Sequence, residues 1–247
     1  MKVAVEKLGE EPYASILCYP RPCRIEIKKR LAELKKLGVI TVEFCGEKEA
    51  FGVPVLGKGC VGIVTIAYVN GEKVALKIRR VDANRDEMQH EAEMLRKANS
   101  VRVGPRLLGT SKNFLLMQFI DGYLLPEWLE MQRGKKLIRR VLREVLEQCW
   151  RLDVAGIDHG ELSHAPKHII VDEGAPFIVD FETASLNRRP SNVTSICQFL
   201  FLGGFVACKV TNKVGMKDER AIVETLRLYK SDRKRENFEA VLKSCGL

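Results

Sequence analysis

The chain has 247 residues, of which 46% are hydrophobic, so it can bury a core and is neither a fibre nor a disordered segment. Lys and Arg number 41 against 32 Asp and Glu, and the resulting net charge of +9 favours anionic partners such as ATP, RNA or acidic surfaces. The N-terminus lacks an apolar run of signal-peptide length, and the longest greasy stretch, 196–208, is too short to span a bilayer. We therefore expect a cytoplasmic protein with no membrane partner.

Eight cysteines are scattered through the chain without the CxxC spacing of a zinc site. The one close pair, Cys18 and Cys23, has no matching second pair. We expect reduced thiols that are mostly buried as small apolar residues, and no structural zinc ion.

Residues 1–50 are predicted to be an N-terminal helix-strand extension that packs on the region after it. Apolar residues at helical spacing predict a helix over 24–37, ended by Gly38, and a strand is predicted over 39–44. Two elements this short cannot bury a core of their own. A nucleic-acid-binding wing is the alternative interpretation.

Residues 51–120 have a mostly β pattern. We expect a five-stranded sheet, with strands over 51–58, 63–69, 73–79, 106–109 and 113–119. Asn70 and Gly71 predict a tight hairpin between the second and third strands. A helix predicted over 84–98 has Glu91 among the apolar residues of one face.

Residues 121–247 are predicted to be mainly helical. A continuous apolar stripe predicts a long helix over 137–152. A loop then leads to strands over 169–171 and 177–179, the second of which ends on Asp180. Two or three helices are expected after Asp180, one of them formed by the greasy stretch 196–208.

The segment 57–64 reads Gly-Lys-Gly-Cys-Val-Gly-Ile-Val and fits the pattern GxGxxGxV. Its glycines open a β-branched strand, whereas a dinucleotide-binding fingerprint opens a helix and a Walker A loop needs Gly-Lys-Ser/Thr. We therefore predict a glycine flap over triphosphate oxygens, where missing side chains let backbone N–H groups approach. Its residues would be Gly57, Gly59, Gly62 and Val64.

Strand alternation makes Lys77 a candidate phosphate ligand. In the sequence Val-Ala-Leu-Lys-Ile of residues 74–78, Ala75 and Lys77 share one face of the strand, opposite three larger apolar residues. A small residue can lie beneath a purine while the lysine reaches its phosphates. Glu91, on the inward face of the next helix, is expected to hold Lys77 in position.

These motifs, in this order, resemble the protein-kinase-like superfamily. The resemblance implies an α+β, bilobal protein-kinase-like fold with a five-stranded N-lobe sheet and a truncated, mainly helical C-lobe. The kinase N-lobe would comprise residues 51–120 and the reduced C-lobe residues 121–247. The residues Met117, Gln118 and Phe119 resemble the hinge strand whose backbone binds the adenine edge of ATP.

The resemblance extends to the catalytic loop. His-Gly-Glu-Leu at 159–162 resembles that loop, and Asp-Phe-Glu at 180–182 stands where such enzymes carry a metal-binding Asp-Phe-Gly. Phosphoryl transfer needs a metal ion, a carboxylate that holds it and a carboxylate that orients the acceptor. The resemblance assigns these roles to Asp180 and Glu161, with Lys77 on the phosphates and Glu91 holding Lys77 in position.

Three residues depart from the family pattern or extend it. Glu161 replaces an aspartate and is one methylene longer. His168 replaces the metal-ligating asparagine; an imidazole suits Mn²⁺ better than Mg²⁺, and a packed loop histidine is the alternative interpretation. Lys167 either offers positive charge to the transferring phosphate or is a surface lysine.

The short segment after Asp180 leaves no room for a long activation segment and resembles the small atypical kinases of the RIO and KEOPS-kinase type, including predicted archaeal serine/threonine kinases. This implies an enzyme that uses ATP and Mg²⁺ (or Mn²⁺) to phosphorylate serine or threonine on a protein or on itself. One alternative is a small-molecule phosphotransferase of the aminoglycoside or choline kinase type. Another is an ATP-binding pseudokinase or ATPase switch on a ribonucleoprotein.

Basic residues cluster in two segments, 133–143 and 230–235. Such runs are usually solvated faces. The alternative is contact with RNA or a ribonucleoprotein, made mostly to phosphates and therefore sensitive to salt.

Overall fold

A computed structural model describes residues 1–84 and 87–247. The chain divides into two compact units, the first made of Met1–Arg96 and Arg106–Phe119 and the second of Lys97–Pro105 and Ile120–Leu247. Residues 85 and 86 of the helix predicted over 84–98 lie outside the described residues.

The first unit contains most of the β structure. Its strands are β1 (Lys2–Ala4), β2 (Val39–Glu43), β3 (Lys48–Ala50), β4 (Val53–Val55), β5 (Gly57–Lys58), β6 (Gly62–Val69), β7 (Glu72–Arg79), β8 (Leu107–Thr110) and β9 (Phe114–Gln118). Its helices are α1 (Tyr13–Leu17), α2 (Arg24–Lys36) and α3 (Gln89–Ser100), the last of which continues into the second unit.

Within the described residues, seven of these strands form one antiparallel sheet in the order β1-β2-β6-β7-β9-β8, with β5 paired to β6. The expected sheet of five strands is therefore corrected to seven. The two additional strands, β1 and β2, come from the first 50 residues: β2 pairs with β6, and β1 pairs with β2 at the edge of the sheet. The strand predicted over 51–58 is confirmed only in part. Phe51 and Gly52 adopt positive φ values of 48° and 72° and form a turn between β3 and β4, and β4 and β5 are two short strands within the rest of the range.

The predicted hairpin is confirmed, since β6 and β7 are joined by Asn70 and Gly71 with φ values of 51° and 84°. The register pairs Val64 with Lys77, and Lys77 with Leu115, so these side chains share one face of the sheet. The residues of β7 on the opposite face, Val74, Leu76 and Ile78, join the hydrophobic core of this unit. The expected alternation of β7 is therefore confirmed.

A buried arginine fastens α2 to the sheet. Arg30 is 0% exposed, and its guanidinium donates to the carbonyl oxygens of Leu17 at 2.7 Å and Arg79 at 2.5 Å. It also donates to Asn113 Oδ1 at 2.9 Å and pairs with Glu26 on its own helix. Because a buried charge without partners is costly, this full set of acceptors is what makes the position tolerable.

The second unit is mainly helical. Its strands β10 (Tyr123–Leu124), β11 (Ile169–Asp172) and β12 (Ala175–Ile178) pair antiparallel in that order. Its helices are α4 (Leu125–Met131), α5 (Lys135–Val154), α6 (Asn192–Phe201), α7 (Phe205–Val214), α8 (Glu219–Ser231) and α9 (Arg235–Ser244). The helix predicted over 137–152 is α5, whose apolar stripe is buried as expected.

The greasy stretch 196–208 is not one helix. Gly203 and Gly204 have φ values of 94° and 88° and separate α6 from α7, so the described chain has four helices after Asp180 where two or three were expected. No single described helix is long and apolar enough to cross a membrane. The pair α6 and α7, bent by 74° at the break between them, reaches that length and apolar composition only when taken together. The described chain as a whole is α+β and compatible with a kinase-like fold.

Candidate functional site

The first unit contains a buried ion pair between β7 and α3. Lys77 Nζ lies 2.9 Å from each carboxylate oxygen of Glu91, and the two side chains are only 6% and 5% exposed. Burying two charges costs free energy that their attraction offsets only when the geometry is good. The pair that sequence reasoning expected is therefore present, and it fixes the position of the Lys77 ammonium group.

The glycine segment passes close to this lysine. A Cβ atom at Gly62 would lie 3.1 Å from Lys77 Cγ and 3.0 Å from the Ile78 carbonyl oxygen, so only glycine fits without displacement. The other two glycines have room, because a Cβ at Gly57 or Gly59 would meet its nearest neighbour at 3.6 Å. The Gly59 N–H donates to the Gly62 carbonyl oxygen at 2.8 Å and closes the turn from β5 to β6.

The other predicted nucleotide-binding residues of the first unit divide between the two faces of the sheet. Val64, Ala75 and Met117 belong to the face of Lys77, since the register pairs Val64 with Lys77 and Ala75 with Met117. Gln118 pairs with Val74 and so belongs to the opposite face.

The hinge residues already have partners within the first unit. The Gln118 N–H donates to the Arg106 carbonyl oxygen at 2.8 Å, and its side-chain oxygen accepts from the Arg106 N–H at 3.3 Å. The Lys73 ammonium lies 4.0 Å from the centre of the Phe119 ring. The Gln118 N–H is therefore already bound to the Arg106 carbonyl oxygen and is not available to an adenine edge.

The loop between α5 and β11 carries Glu161 in the second unit. Gly160 adopts a φ of 92°, which favours glycine, and a Cβ there would meet the Arg188 guanidinium at 2.5 Å. Glu161 follows this turn, and its side chain is 37% exposed. Lys167 lies on the same loop with its side chain in solvent.

Three predicted residues of the second unit come together. His168 Nε2 lies 3.1 Å from Glu161 Oε2 and 3.9 Å from Asp180 Oδ2. One ligand atom from each residue lies within 4.8 Å of the others. The sequence suggested His168 and Asp180 for a metal, whereas the proximity of Glu161 to both depends on the loop conformation.

The backbone holds two of these residues next to each other. The Val179 N–H donates to the His168 carbonyl oxygen at 2.9 Å, directly before Asp180. Asp180 itself adopts a φ of 69°, an uncommon conformation for a residue other than glycine that aspartate tolerates better than bulky residues do. Such conformations cost free energy and concentrate at functional sites.

His159 supports the loop. Its ring is fully buried, lies 5.1 Å from the Phe181 ring centre and donates from Nε2 to the Val179 carbonyl oxygen at 3.1 Å. Burial lowers the pKa of His159 to about 4, so the ring is neutral near pH 7. It therefore acts as a packed hydrogen-bonding group.

Sequence reasoning missed the polar network behind this loop. Asn192 Oδ1 accepts from the His159 N–H at 2.9 Å, and its Nδ2 donates to Asp153 Oδ1 at 2.7 Å. Asp153 also accepts from the Tyr229 hydroxyl at 2.8 Å, and burial raises the pKa of Asp153. Asp153 lies among the buried residues of α5. A carboxylate on the apolar stripe of a helix is the sequence signal that could have indicated this network.

Arg188 ties the loop to the segment after Asp180 and was also missed. Its Nε donates to Asp158 Oδ2 at 2.7 Å and its Nη2 donates to the Thr183 carbonyl oxygen at 2.6 Å. The Thr183 hydroxyl donates to the His159 carbonyl oxygen at 2.9 Å. The segments carrying Glu161 and Asp180 are therefore cross-linked by hydrogen bonds.

The two basic segments carry less free charge than their composition indicates. Arg143 pairs with Glu239, and Arg235 forms two contacts of 2.7 Å with Glu147. Lys234 pairs with Asp232 at 3.0 Å. The basic residues that are exposed and have no ion pair in the described chain include Arg133, Lys135, Lys136 and Arg140.

The donor set in the second unit fits a divalent cation. Carboxylate oxygens bind Mg²⁺ and Mn²⁺, and imidazole nitrogen favours transition metals. The fit is shown by the His168 imidazole, which is 3% exposed and, within the described chain, has no hydrogen bond at either ring nitrogen. The arrangement can hold a cation and leave one oxygen of Glu161 for an acceptor group.

Two curated relatives are similar to part of the chain. The uncharacterized protein MJ1211 of Methanocaldococcus jannaschii is 27% identical over 116 residues, covering 46% of this chain and 98% of the relative. The KEOPS complex subunit Bud32 of Pyrococcus abyssi is 30% identical over 118 residues, covering 47% of this chain and 50% of the relative. The aligned part therefore spans about half the length of the Bud32 subunit.

A family model for the RIO domain matches residues 66–194. The matched segment is just over half of the 247 residues and contains Lys77, Glu91, Glu161, His168 and Asp180, while the glycine segment 57–62 precedes it. The family comprises atypical kinases or ATPases, in agreement with the resemblance of the sequence motifs. The chain belongs to the RIO domain family.

Proposed function

We propose that this protein is an ATP- and metal-dependent phosphotransferase, and specifically an atypical serine/threonine protein kinase that phosphorylates a protein or itself. The observation that carries the proposal is the buried ion pair of Lys77 and Glu91. Breaking such a pair is costly, and replacing it with apolar residues often is not, so its presence favours a functional role for the lysine.

In this proposal the first unit binds the nucleotide. Lys77 contacts the phosphates and Glu91 is the residue that positions it. Gly57, Gly59, Gly62 and Val64 cover the phosphates, and Ala75 and Met117 lie on the sheet face that contacts the adenine. The close approach of Gly62 to Lys77 supports this arrangement, because a side chain at that position would displace the lysine.

The second unit supplies the groups for metal binding and transfer. Asp180 and His168 would hold Mg²⁺ or Mn²⁺, which neutralises charge on the phosphates when bound. Glu161 accepts a hydrogen bond from the acceptor hydroxyl and orients it, and Lys167 places positive charge near the transferred phosphoryl group. The hydrogen bonds of Arg188 and Thr183 support a fixed spacing between Glu161 and Asp180.

A second candidate function is an ATPase switch. It is favoured by Glu161, whose side chain is one methylene longer than aspartate and lies beside His168 at 3.1 Å. Displacement of a catalytic group by about 1 Å can cost roughly a hundredfold in rate, which would favour water over a protein acceptor. ATP hydrolysis without phosphoprotein, lost in Glu161→Gln, would support this function over the kinase.

The test is incubation of the full chain with ATP labelled at the γ-phosphate, with Mg²⁺ or Mn²⁺ and a generic protein substrate. Label on serine or threonine is expected, with loss of at least a hundredfold in Asp180→Asn and Lys77→Met. Lys112→Met removes an exposed lysine from the same unit and should label at the wild-type rate. Label on small amines or sugars alone would show the small-molecule phosphotransferase instead.

We also propose that the protein works with a partner, since the Pyrococcus relative is named as a subunit of a complex. The exposed cations of the first basic segment favour a ribonucleoprotein or RNA partner. A Lys135→Glu and Lys136→Glu double variant should weaken RNA binding, and wild-type binding should fall steeply with salt. Unchanged RNA binding in the double variant would exclude this surface.

A further inference from the structure

We propose that Glu161, His168 and Asp180 form a three-ligand site that binds a divalent transition-metal ion, represented by Mn²⁺, in the absence of nucleotide. The inference deepens the proposed function and rests on it only for the role of Asp180. Its new elements are Glu161 as a metal ligand, selectivity for transition metals over Mg²⁺, and independence from ATP.

His168 is buried without a hydrogen-bond partner in the described chain. Its ring is 3% exposed, and within the described chain neither ring nitrogen makes a hydrogen bond. Its distance of 3.1 Å from Glu161 Oε2 would suit a hydrogen bond, but the orientation of the two groups does not. Because a buried polar group without a partner costs about 1–3 kcal/mol, a ligand for this imidazole is expected.

The donor atoms of the three residues have the spacing of metal ligands. Neighbouring ligands of an octahedral ion with bonds of about 2.1 Å are about 3.0 Å apart, and opposite ligands are about 4.2 Å apart. The distances from His168 Nε2 to Glu161 Oε2 and Asp180 Oδ2 are 3.1 and 3.9 Å. These separations suit three atoms that face a common ion, and the whole set lies within 4.8 Å.

The carboxylates also favour a cation. Glu161 and Asp180 supply oxygen ligands beside the His168 imidazole, and such oxygens attract divalent ions. Glu161 and Asp180 are 37% and 33% exposed, so an ion can reach them from solvent, while His168 closes the buried side. The site therefore has both an entry path and a fixed inner ligand.

The ligand types decide which ion is favoured. Sites made of carboxylate and water suit Mg²⁺, whereas an imidazole shifts preference towards Mn²⁺, Fe²⁺, Co²⁺ and Zn²⁺. Glu161 faces His168 through Oε2, which leaves Oε1 for the acceptor hydroxyl. A metal on this set would therefore orient Glu161 without removing its role towards the acceptor.

The experiment titrates the metal-free full chain with Mn²⁺ and no nucleotide, and follows the free ion by electron paramagnetic resonance. One equivalent of tightly bound Mn²⁺ is expected, with at least tenfold weaker binding of Mg²⁺ in competition. His168→Asn should weaken Mn²⁺ binding at least tenfold, since changes even to supporting groups cost about 10–100-fold. His164→Asn, which alters an exposed histidine of the same loop, should bind Mn²⁺ as the wild type does.

A spectroscopic signature separates this site from others. The bound Mn²⁺ should show nitrogen coupling from one imidazole, and the coupling should be absent in His168→Asn and retained in His164→Asn. Absence of Mn²⁺ binding without nucleotide, no nitrogen coupling, or equal affinity in His168→Asn would overturn the inference. Phosphoryl transfer from ATP in a protein that fails this test would leave the proposed function standing.

Discussion

The ion pair of Lys77 and Glu91, called here the first group, differs in charge and burial from the second group, which is formed by Glu161, His168 and Asp180. Lys77 and Glu91 have opposite charges, are both buried and satisfy each other at 2.9 Å. Glu161 and Asp180 have the same charge, are partly exposed and face an imidazole that has no hydrogen bond in the described chain. The first group pairs opposite charges in the folded chain and orients a lysine, whereas the second brings three ligand atoms within 4.8 Å of one another. The first group therefore acts as an ion pair, and the second has the arrangement of the proposed metal site.

The largest effect is expected from breaking the ion pair of Lys77 and Glu91. Glu91→Leu removes the carboxylate that pairs with the buried Lys77 ammonium and should lower the free energy of unfolding by about 3–5 kcal/mol, measured by urea denaturation. The double variant Lys77→Met and Glu91→Leu should recover near wild-type stability, because two apolar side chains replace the pair. It should nevertheless bind no ATP. Wild-type stability of the single variant would show that the pair is not buried.

The next largest effect is expected from adding Mn²⁺ to the second group. Mn²⁺ at a hundred times its dissociation constant should raise the free energy of unfolding by about 2.7 kcal/mol, because the ion binds only the folded chain. Asp180→Asn should gain much less, whereas His164→Asn should gain as much as the wild type. Thermal denaturation with and without Mn²⁺ measures the effect. Equal stabilisation of Asp180→Asn would place the ion elsewhere.

A smaller effect is expected from the hydrogen-bond network of Asp153 behind the loop that carries Glu161. Tyr229→Phe removes the hydroxyl that donates to the Asp153 carboxylate and should cost about 1.5 kcal/mol near neutral pH. Burial raises the pKa of Asp153 above its usual value, so the stability from this group falls as pH rises from the usual pKa to the raised one.

The same variant should also change that pH dependence. Without the hydroxyl the pKa of Asp153 rises further, and the window of falling stability extends to higher pH. The cost of Tyr229→Phe should therefore shrink once the pH is low enough to protonate Asp153. Urea denaturation at a series of pH values measures both effects, and a cost independent of pH would contradict the role given to the carboxylate.

The smallest effect concerns the glycine beside the first group. Gly62→Ala brings a Cβ to 3.0–3.1 Å from the Ile78 carbonyl oxygen and Lys77, and should cost about 1 kcal/mol and weaken ATP binding. Gly57→Ala meets its nearest neighbour only at 3.6 Å and should leave stability unchanged. An equal loss of stability in both variants would show that crowding at Lys77 is not the cause.

Periodicity predicted the first group well. Alternation along β7 separated Lys77 from its apolar neighbours, and helical spacing put Glu91 on the inward face of α3. Both rules depend only on residues close together in the sequence, and together they were enough to predict the pair. The strand over 39–44 was predicted and is β2, but the pairing that adds β1 and β2 to the sheet could not be foreseen in the same way, because it joins residues far apart in the chain.

The second group depends on features that periodicity does not encode. Glu161 reaches His168 only because Gly160 turns with a φ of 92° and the Arg188 network fixes the loop. The break between α6 and α7 was visible as Gly203 and Gly204, but a hydropathy average over 196–208 concealed it. Loop conformation and long-range pairing therefore mark the limit of what this sequence shows.

The left-handed backbone conformation of Asp180 sets the stability of the fold against the chemistry of the carboxylate. Glycine at this position would adopt a φ of 69° without the Cβ contact that costs an ordinary residue about 1 kcal/mol or more, and would also remove the carboxylate. Asp180→Gly should therefore relieve this backbone cost and hold no cation. A screen for catalysis would eliminate the variant, which would mark Asp180 as a residue kept for its chemistry at the expense of backbone strain.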